Sequence, residues 1–415
     1  MNLSRSPAGW DAASPAAIGS ASHLRVLHVI PSVSRTSGGP ARAVMQMEQS
    51  LVARGVKIVT ATTDDDGPDR RLDVPLARGV PTDGAQRFYF ARQTRAYKVS
   101  LPLARWLHGT IRDFDLVHVH SLFSFAPVVA ASIARAHGVP YVIRPLGVLN
   151  RYGMQHRRIA LKAASMRLLE GGLLRQAAAV HFTSEQEQEE AAALGIAMRG
   201  EVIPLGIPPM PEAGAGAYHA RFPGAEFPHL LFVSRIDPKK NIEGLLQAFR
   251  GIQDAYPSAR LTICGDGDAA YMSGLAELAE RLGVASRVVW AGHVEGELKA
   301  SAFAAADVFV LPSYSENFGI AAVEALGAGL PCVLGEGVAL AGEVEAGGAG
   351  LATRPHSDAI AAAIGCLLAD DAARARAARA ALALAHARYS PDAMADRLCA
   401  LYARLARRAV PEGAA

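Results

Sequence analysis

The stretch LRVLHVIPSVSRTSGGPARAVMQMEQSLVARGVKIVTATT, Leu24–Thr63, decides the fold class. LRVLHVI reads as a strand, the glycine-bearing loop at Thr36–Pro40 interrupts it, and Ala43–Ala53 carries apolar residues at helical spacing. VKIVTATT is the next strand, so the segment is a β-α-β start, the unit from which parallel α/β sheets are built.

Working outward, DLVHVHS at Asp115–Ser121, a helix through Val128–His137 and PYVIRPL continue the alternation. Short strands near Ala178–Ser184 and Glu201–Leu205 complete a Rossmann-like domain over 23–206. Residues 207–228 are crowded with Pro, Gly and Ala and have neither period, which predicts a linker. The pattern then restarts with HLLFVSRI, ARLTICGDG, RVVWAGHV, DVFVLPS and PCVLG as strands, giving a second Rossmann-like domain over 229–387. Ala- and Arg-rich helices are expected at Ser357–Ala387 and Pro391–Arg408, with a C-terminal helix and tail at 388–415. Two such sheets facing a central cleft would bind a ligand at the carboxyl ends of their strands.

Composition narrows the function classes. A chain of 415 residues that is 51% hydrophobic and 20% charged can bury sizeable cores. Forty-two Lys plus Arg against 39 Asp plus Glu leave +3, too little for a general nucleic-acid binder. The four cysteines, Cys264, Cys332, Cys366 and Cys399, form no C-x-x-C pair, which fits a reducing cytoplasm. Ser121–Ala134 and Ala321–Leu334 fall short of the ~18 apolar residues that span a bilayer. Residues 1–22 lack the apolar block of a signal peptide and are expected to be a disordered leader.

The chemistry concentrates in SYSENFGIAAVEALGAGLPCV, Ser313–Val333. Glu316 lies in the loop after a strand, Gly319 permits a close turn, and the helix that follows bares N–H groups suited to a phosphate. Glu316 and Glu324 flank that anion site, and carboxylates there suit a neutral partner rich in hydroxyls, such as a sugar or a ribose. In SRIDPKKN, Ser234–Asn241, Arg235 and Lys240 are cations that suit a diphosphate whose charge grows as its bond to a sugar breaks.

These segments resemble nucleotide-sugar-dependent glycosyltransferase family 4, retaining enzymes of the two-domain GT-B architecture, over about residues 24–405. The resemblance rests on the Glu316/Glu324 pair, Arg235 with Lys240, CGDGD at Cys264–Asp268, WAGHV at Trp290–Val294, FTSEQE at Phe182–Glu187 and VIPLGI at Val202–Ile207. It implies α/β domains facing a cleft, an N-terminal acceptor-binding domain over 23–206 and a nucleotide-sugar-binding domain over 229–387, with C-terminal helices crossing back to the first domain. It also implies that Arg235, Lys240 and Glu316 act in catalysis. Asn317, Phe318, Gly319 and Ile320 would hold the donor by their backbone, Glu324 the ribose, and His293 and Val294 would face the base. Gly265 and Gly267 are turn and close-approach residues on the donor side, and Gly38 and Gly39 could admit a phosphate from the opposite domain.

One departure stands out. Many relatives carry a histidine before a glycine at the end of the strand corresponding to PYVIRPLG, and here Leu146 occupies that place. R-P-L-G-V-L is similar to segments of polysaccharide-building members. His118 and His120 in DLVHVHS are candidates for acceptor contact, His120 being nearer the strand end and the crevice, and Arg144 is the further candidate. No cofactor or metal is expected, although Asp64–Asp66 could suggest a metal-binding D-x-D or a nicotinamide ribose contact.

His156–Arg175 places Ile159, Ala163, Met166 and Leu169 at helical spacing beside five cations, a helix able to rest on anionic lipid. The expected activity is hexosyl transfer from a nucleoside diphosphate sugar to a glycan or lipid-linked glycan in cell-surface polysaccharide assembly. The competing readings are a sugar-nucleotide epimerase and a non-catalytic nucleotide-sugar-binding partner of another transferase.

Overall fold

The computed structural model describes residues 21–409 except 22, 35, 37, 68, 150–158, 225 and 226. All but residue 21 of the expected leader, and the start of the basic helix at 156–158, lie outside the described residues. The chain forms two compact units, one running to Gly206 and including Pro391 onward, the other Ile207–Ser390.

In the first unit the strands are β1 Arg25–Val29, β2 Lys57–Thr63, β3 Gly79–Thr82, β4 Ala85–Phe90, β5 Leu116–His120, β6 Tyr141–Arg144, β7 Ala179–Phe182 and β8 Gly200–Val202. They lie in the order β3-β4-β2-β1-β5-β6-β7-β8, parallel except for the β3/β4 hairpin. β1, the first strand in the chain, therefore sits mid-sheet between β2 and β5, and the strand order reverses there. In the second unit β9 His229–Val233, β10 Arg260–Cys264, β11 Val288–Gly292, β12 Val308–Leu311, β13 Cys332–Gly335 and β14 Gly350–Thr353 form an all-parallel sheet. Its order is β11-β10-β9-β12-β13-β14, the doubly wound arrangement with its switch point between β9 and β12. The inner strands β1, β2, β5, β6, β7, β9, β10, β12 and β13 are buried almost throughout, as expected where helices cover both faces of a parallel sheet.

Helix Pro391–Ala409 packs on the first unit, where Met394, Leu398 and Tyr402 join Val26, Leu116 and Val142 in one core. The Ala-rich segment predicted as one helix from Ser357 is two, Ser357–Ala369 and Asp371–Tyr389, because Asp370 caps the second by accepting from the Ala373 amide at 2.9 Å.

Two expectations are corrected. Residues 207–228 are not a bare linker, since helix Gly216–Arg221 buries Tyr218 against the second unit. The Tyr218 hydroxyl hydrogen-bonds Thr262 Oγ1 at 2.5 Å, so one aromatic ring supplies the anchor that composition hides. Of the expected stripe Ile159, Ala163, Met166, Leu169, the part from Met166 onward does not keep helical spacing, because Met166–Glu170 is a π-turn. The extra residue rotates the helix, so Met166 packs on the core whereas Leu168 and Leu169 are 77% and 47% exposed.

Candidate active site

The second unit brings its charged motif residues to the β9/β12 switch point. After β9, Asp237 caps the short turn Pro238–Lys240 by accepting from the Lys239 amide at 3.0 Å, and the left-handed Asn241 ends it. Asn241 then starts helix Ile242–Ile252, and its Nδ2 donates to Pro312 O at 3.2 Å and Pro355 O at 3.0 Å, tying this turn to the end of β12. Lys240 is thereby buried, and its ammonium pairs with Glu316 from the β12 loop. Glu316 is fixed at the backbone, its N–H donating to Gly337 O at 2.8 Å and its carbonyl accepting from the Ala339 amide at 3.0 Å. Arg235, at the end of β9, is exposed and has no ion pair among the described residues.

Gly319, at φ 80°, opens helix Ile320–Gly327, whose first two amides, Ile320 and Ala321, have no intrahelical acceptor, whereas Ala322 N donates to Gly319 O at 2.9 Å. A Cβ on Gly319 would meet Val338 Cγ1 at 3.2 Å, so the turn also needs the missing side chain. Phe318 is buried against Tyr389, and Ile320 is exposed. Glu324, one turn into the helix, accepts from Lys299 Nζ at 2.6 Å. Lys299 belongs to helix Gly296–Ala304 and was missed by sequence reasoning, since no local pattern links it to Glu324.

The β10 glycines have a different cause. A Cβ on Gly265 would lie 1.8 Å from Ser234 O, and one on Gly267 would lie 2.2 Å from Ile236 O. They let the β9 and β10 loops touch, with Ile236 N donating to Asp266 O at 2.8 Å. His293 is exposed beside Glu295, whereas the Val294 side chain is buried.

In the first unit, Gly38 at φ 63° caps helix Gly39–Ala53, and a Cβ there would meet nothing within 4 Å. Asp64 and Asp65 are occupied by cations: Asp65 pairs with Arg92 and Lys98 at 2.5 Å each, and Asp64 pairs with Arg71 at 3.5 Å. Asp66 pairs with Arg70 at 3.4 Å, so the acid-rich turn neutralises arginine and lysine.

His120 and Arg144, expected at an acceptor, are 0% and 2% exposed, a correction imposed by the sheet. β1, β5, β6 and β7 place His28, His118, His120, Arg144 and His181 in one polar layer that Tyr402 caps. Ile203 O can only accept, so His181 donates to it through Nε2 at 2.8 Å, which makes His181 Nδ1 an acceptor for His118 Nε2 at 3.4 Å. Tyr402 then donates to His118 Nδ1 at 2.7 Å and accepts from His28 Nε2 at 3.4 Å, and His120 Nε2 donates to His28 Nδ1 at 3.2 Å. One carbonyl thus fixes every tautomer, and the free lone pair is His120 Nδ1. Although His28, His118 and His120 have ligand atoms within 4.8 Å of one another, a cation there would break this chain beside the buried Arg144. Burial pushes His28 and His181 down to about 3 and His118 and His120 well below their usual value, so the layer is neutral around a guanidinium that burial lowers to about 10.

Known proteins agree with this architecture. Residues 222–383 match the family model Glycosyl transferases group 1, and residues 38–206 match Glycosyl transferase 4-like domain. The chain is 27% identical over 364 residues to glycogen synthase of Mycobacterium tuberculosis, covering 81% of this chain and 84% of that one. It is 30% identical over 297 residues to D-inositol 3-phosphate glycosyltransferase of Nocardia farcinica, covering 68% of this chain and 61% of that relative. The fold is shared with Anabaena HepE in complex with UDP, at TM-score 0.71 and 19% identity over 90% of this chain and 98% of that one.

Proposed function

Because the chain belongs to the family 4 type of glycosyltransferases with the GT-B fold, we propose that it moves a hexosyl group from a nucleoside diphosphate sugar to a glycan or lipid-linked glycan, with retention at the anomeric carbon. The observation that carries this reading is the Lys240–Glu316 pair at the β9/β12 switch point. There, a buried ammonium stands ready for phosphate charge and a carboxylate stands ready for sugar hydroxyls.

In this reading the donor displaces part of the Lys240–Glu316 contact. Lys240, with Arg235, then offsets the charge that develops on the departing diphosphate, while Glu316 accepts from sugar hydroxyls. The amides at Gly319–Ile320 hold the distal phosphate and Glu324 accepts from the ribose hydroxyls. The departing phosphate takes the acceptor proton, so no side chain is required at the place of Leu146. With these cations on the diphosphate, the reaction requires no metal.

UDP-sugars are the first donors to test, because Anabaena HepE was solved in complex with UDP. A thermal-shift panel of UDP-, GDP- and ADP-sugars tests the reading, since a donor that binds only the folded state raises Tm. Failure of every donor to shift Tm or to release nucleoside diphosphate would defeat it. We further propose cell-surface polysaccharide assembly at the cytoplasmic face of a membrane. No helix among the described residues is long and apolar enough to cross one. The exposed Leu168 and Leu169 beside Arg167 suit reversible contact with anionic lipid. Vesicle flotation with and without anionic lipid tests that contact, and equal non-binding would remove it.

A further inference from the structure

The FTSEQE motif has so far no role in transfer, and its Glu187 makes contacts that a helix cap alone does not explain. Ser184 caps helix Glu185–Ala192 by accepting from the Glu187 amide at 3.1 Å, so Ser184 and Glu187 stand in the spacing of a capping box. In that motif the glutamate would bond back to the amide of the cap residue. Here its side chain goes elsewhere. Oε2 accepts from Thr183 N and Thr183 Oγ1, both at 2.8 Å, and Oε1 reaches across to the Gly147 amide at 2.7 Å.

Gly147 belongs to the loop after β6 in which Leu146 replaces the expected histidine. Leu146 and Gly147 are consecutive left-handed residues, at φ 60° and 72°. A leucine held there is strained by about 1–3 kcal/mol, and such strain persists only where the surroundings over-determine it. Next to this loop, Ser121 at the end of β5 is also left-handed at φ 86°, and its amide donates to Arg144 O at 2.9 Å. Strained residues other than glycine thus gather at the carboxyl ends of β5 and β6, the edge where doubly wound sheets take ligands. Glu187 is also a charge that offsets the buried Arg144, whose Nε and Nη1 have no hydrogen-bond partner.

We propose that Glu187 is a positioning residue for glycosyl transfer, one carboxylate oxygen anchoring its own helix start and the other locking the Leu146–Gly147 turn on the acceptor side. This rests on the reading that the first unit takes the acceptor. A carboxylate is required because both oxygens face N–H donors. Glutamine would turn an NH2 group toward either Gly147 or Thr183.

The test combines E187Q with L146G. In E187Q, backbone hydrogen exchange over residues 145–149 should accelerate about tenfold, the scale of losing one charge-assisted hydrogen bond. Transfer of glucose from UDP-glucose to an alkyl glucoside should fall about as far in kcat/KM, while the Tm rise with UDP-glucose is kept. Adding L146G, which removes the left-handed strain, should restore part of both losses. Unchanged exchange and unchanged kcat/KM in E187Q would overturn the proposal, and so would a double variant as impaired as the single one. If wild-type protein shows no Tm rise with any UDP-, GDP- or ADP-sugar, the functional reading fails, and the exchange data still decide whether Glu187 locks the turn.

Discussion

Lys299 Nζ lies 2.6 Å from Glu324 Oε1, so the carboxylate proposed for ribose is itself held by a cation from a neighbouring helix. The two side chains are 24% and 14% exposed, which leaves one carboxylate oxygen to meet a ligand and shields the pair from full solvent screening. K299M should weaken UDP binding about tenfold, as loss of a partly buried charged contact does, while leaving pyrophosphate binding nearly unchanged. Calorimetry on K299M, E324Q and the double variant checks this, and the double variant should be no worse than E324Q. An equal loss for pyrophosphate would refute the ribose assignment.

For the Lys240–Glu316 pair, K240M and E316Q should each lower turnover by about a hundredfold or more, the cost of removing a preorganised group that meets developing charge. Stability should fall at least as far in E316Q as in K240M, because E316Q leaves the more deeply buried ammonium without its counter-charge, whereas the carboxylate left by K240M is 24% exposed. Turnover and Tm measured together separate the two effects. Full turnover in both variants would dismiss the site.

Glycine substitutions should divide sharply. G265A and G267A drive a methyl group into backbone carbonyls and should cost about 3 kcal/mol or more. G38A meets open space and should cost about 1–2 kcal/mol through its left-handed φ alone. Denaturant unfolding of the three variants gives the comparison directly. Equal losses would mean that the β9 and β10 loops yield easily.

The histidine layer predicts acid sensitivity. His28 and His181 have folded values near 3 against about 6.5 unfolded, so below pH 6.5 the unfolded chain binds more protons than the folded one. Their contribution is complete above pH 6.5 and is lost progressively as pH falls toward 3, by up to about 1.4 kcal/mol per histidine per pH unit. The first unit should therefore melt at steeply lower temperature between pH 6.5 and 5. H28Q should flatten that slope, and a slope unchanged in H28Q would rule out His28 as a source.

The two α/β units, the restart of the pattern at His229 and the position of Glu316, Lys240 and Gly319 just beyond strand ends are legible in the residues alone. Those features follow from local periodicity and turn chemistry, which act over a few residues. Which charged groups meet depends on the folded chain. Sheet order carries Lys240 to Glu316 and Lys299 to Glu324, and it closes His120 and Arg144 into the interior although both sit at strand ends. It also sends one oxygen of Glu187 past its own helix to Gly147, where spacing alone implies a cap. A polar side chain's partner is set by strand register and by packing between segments distant in the chain, and neither is written in the residues around it.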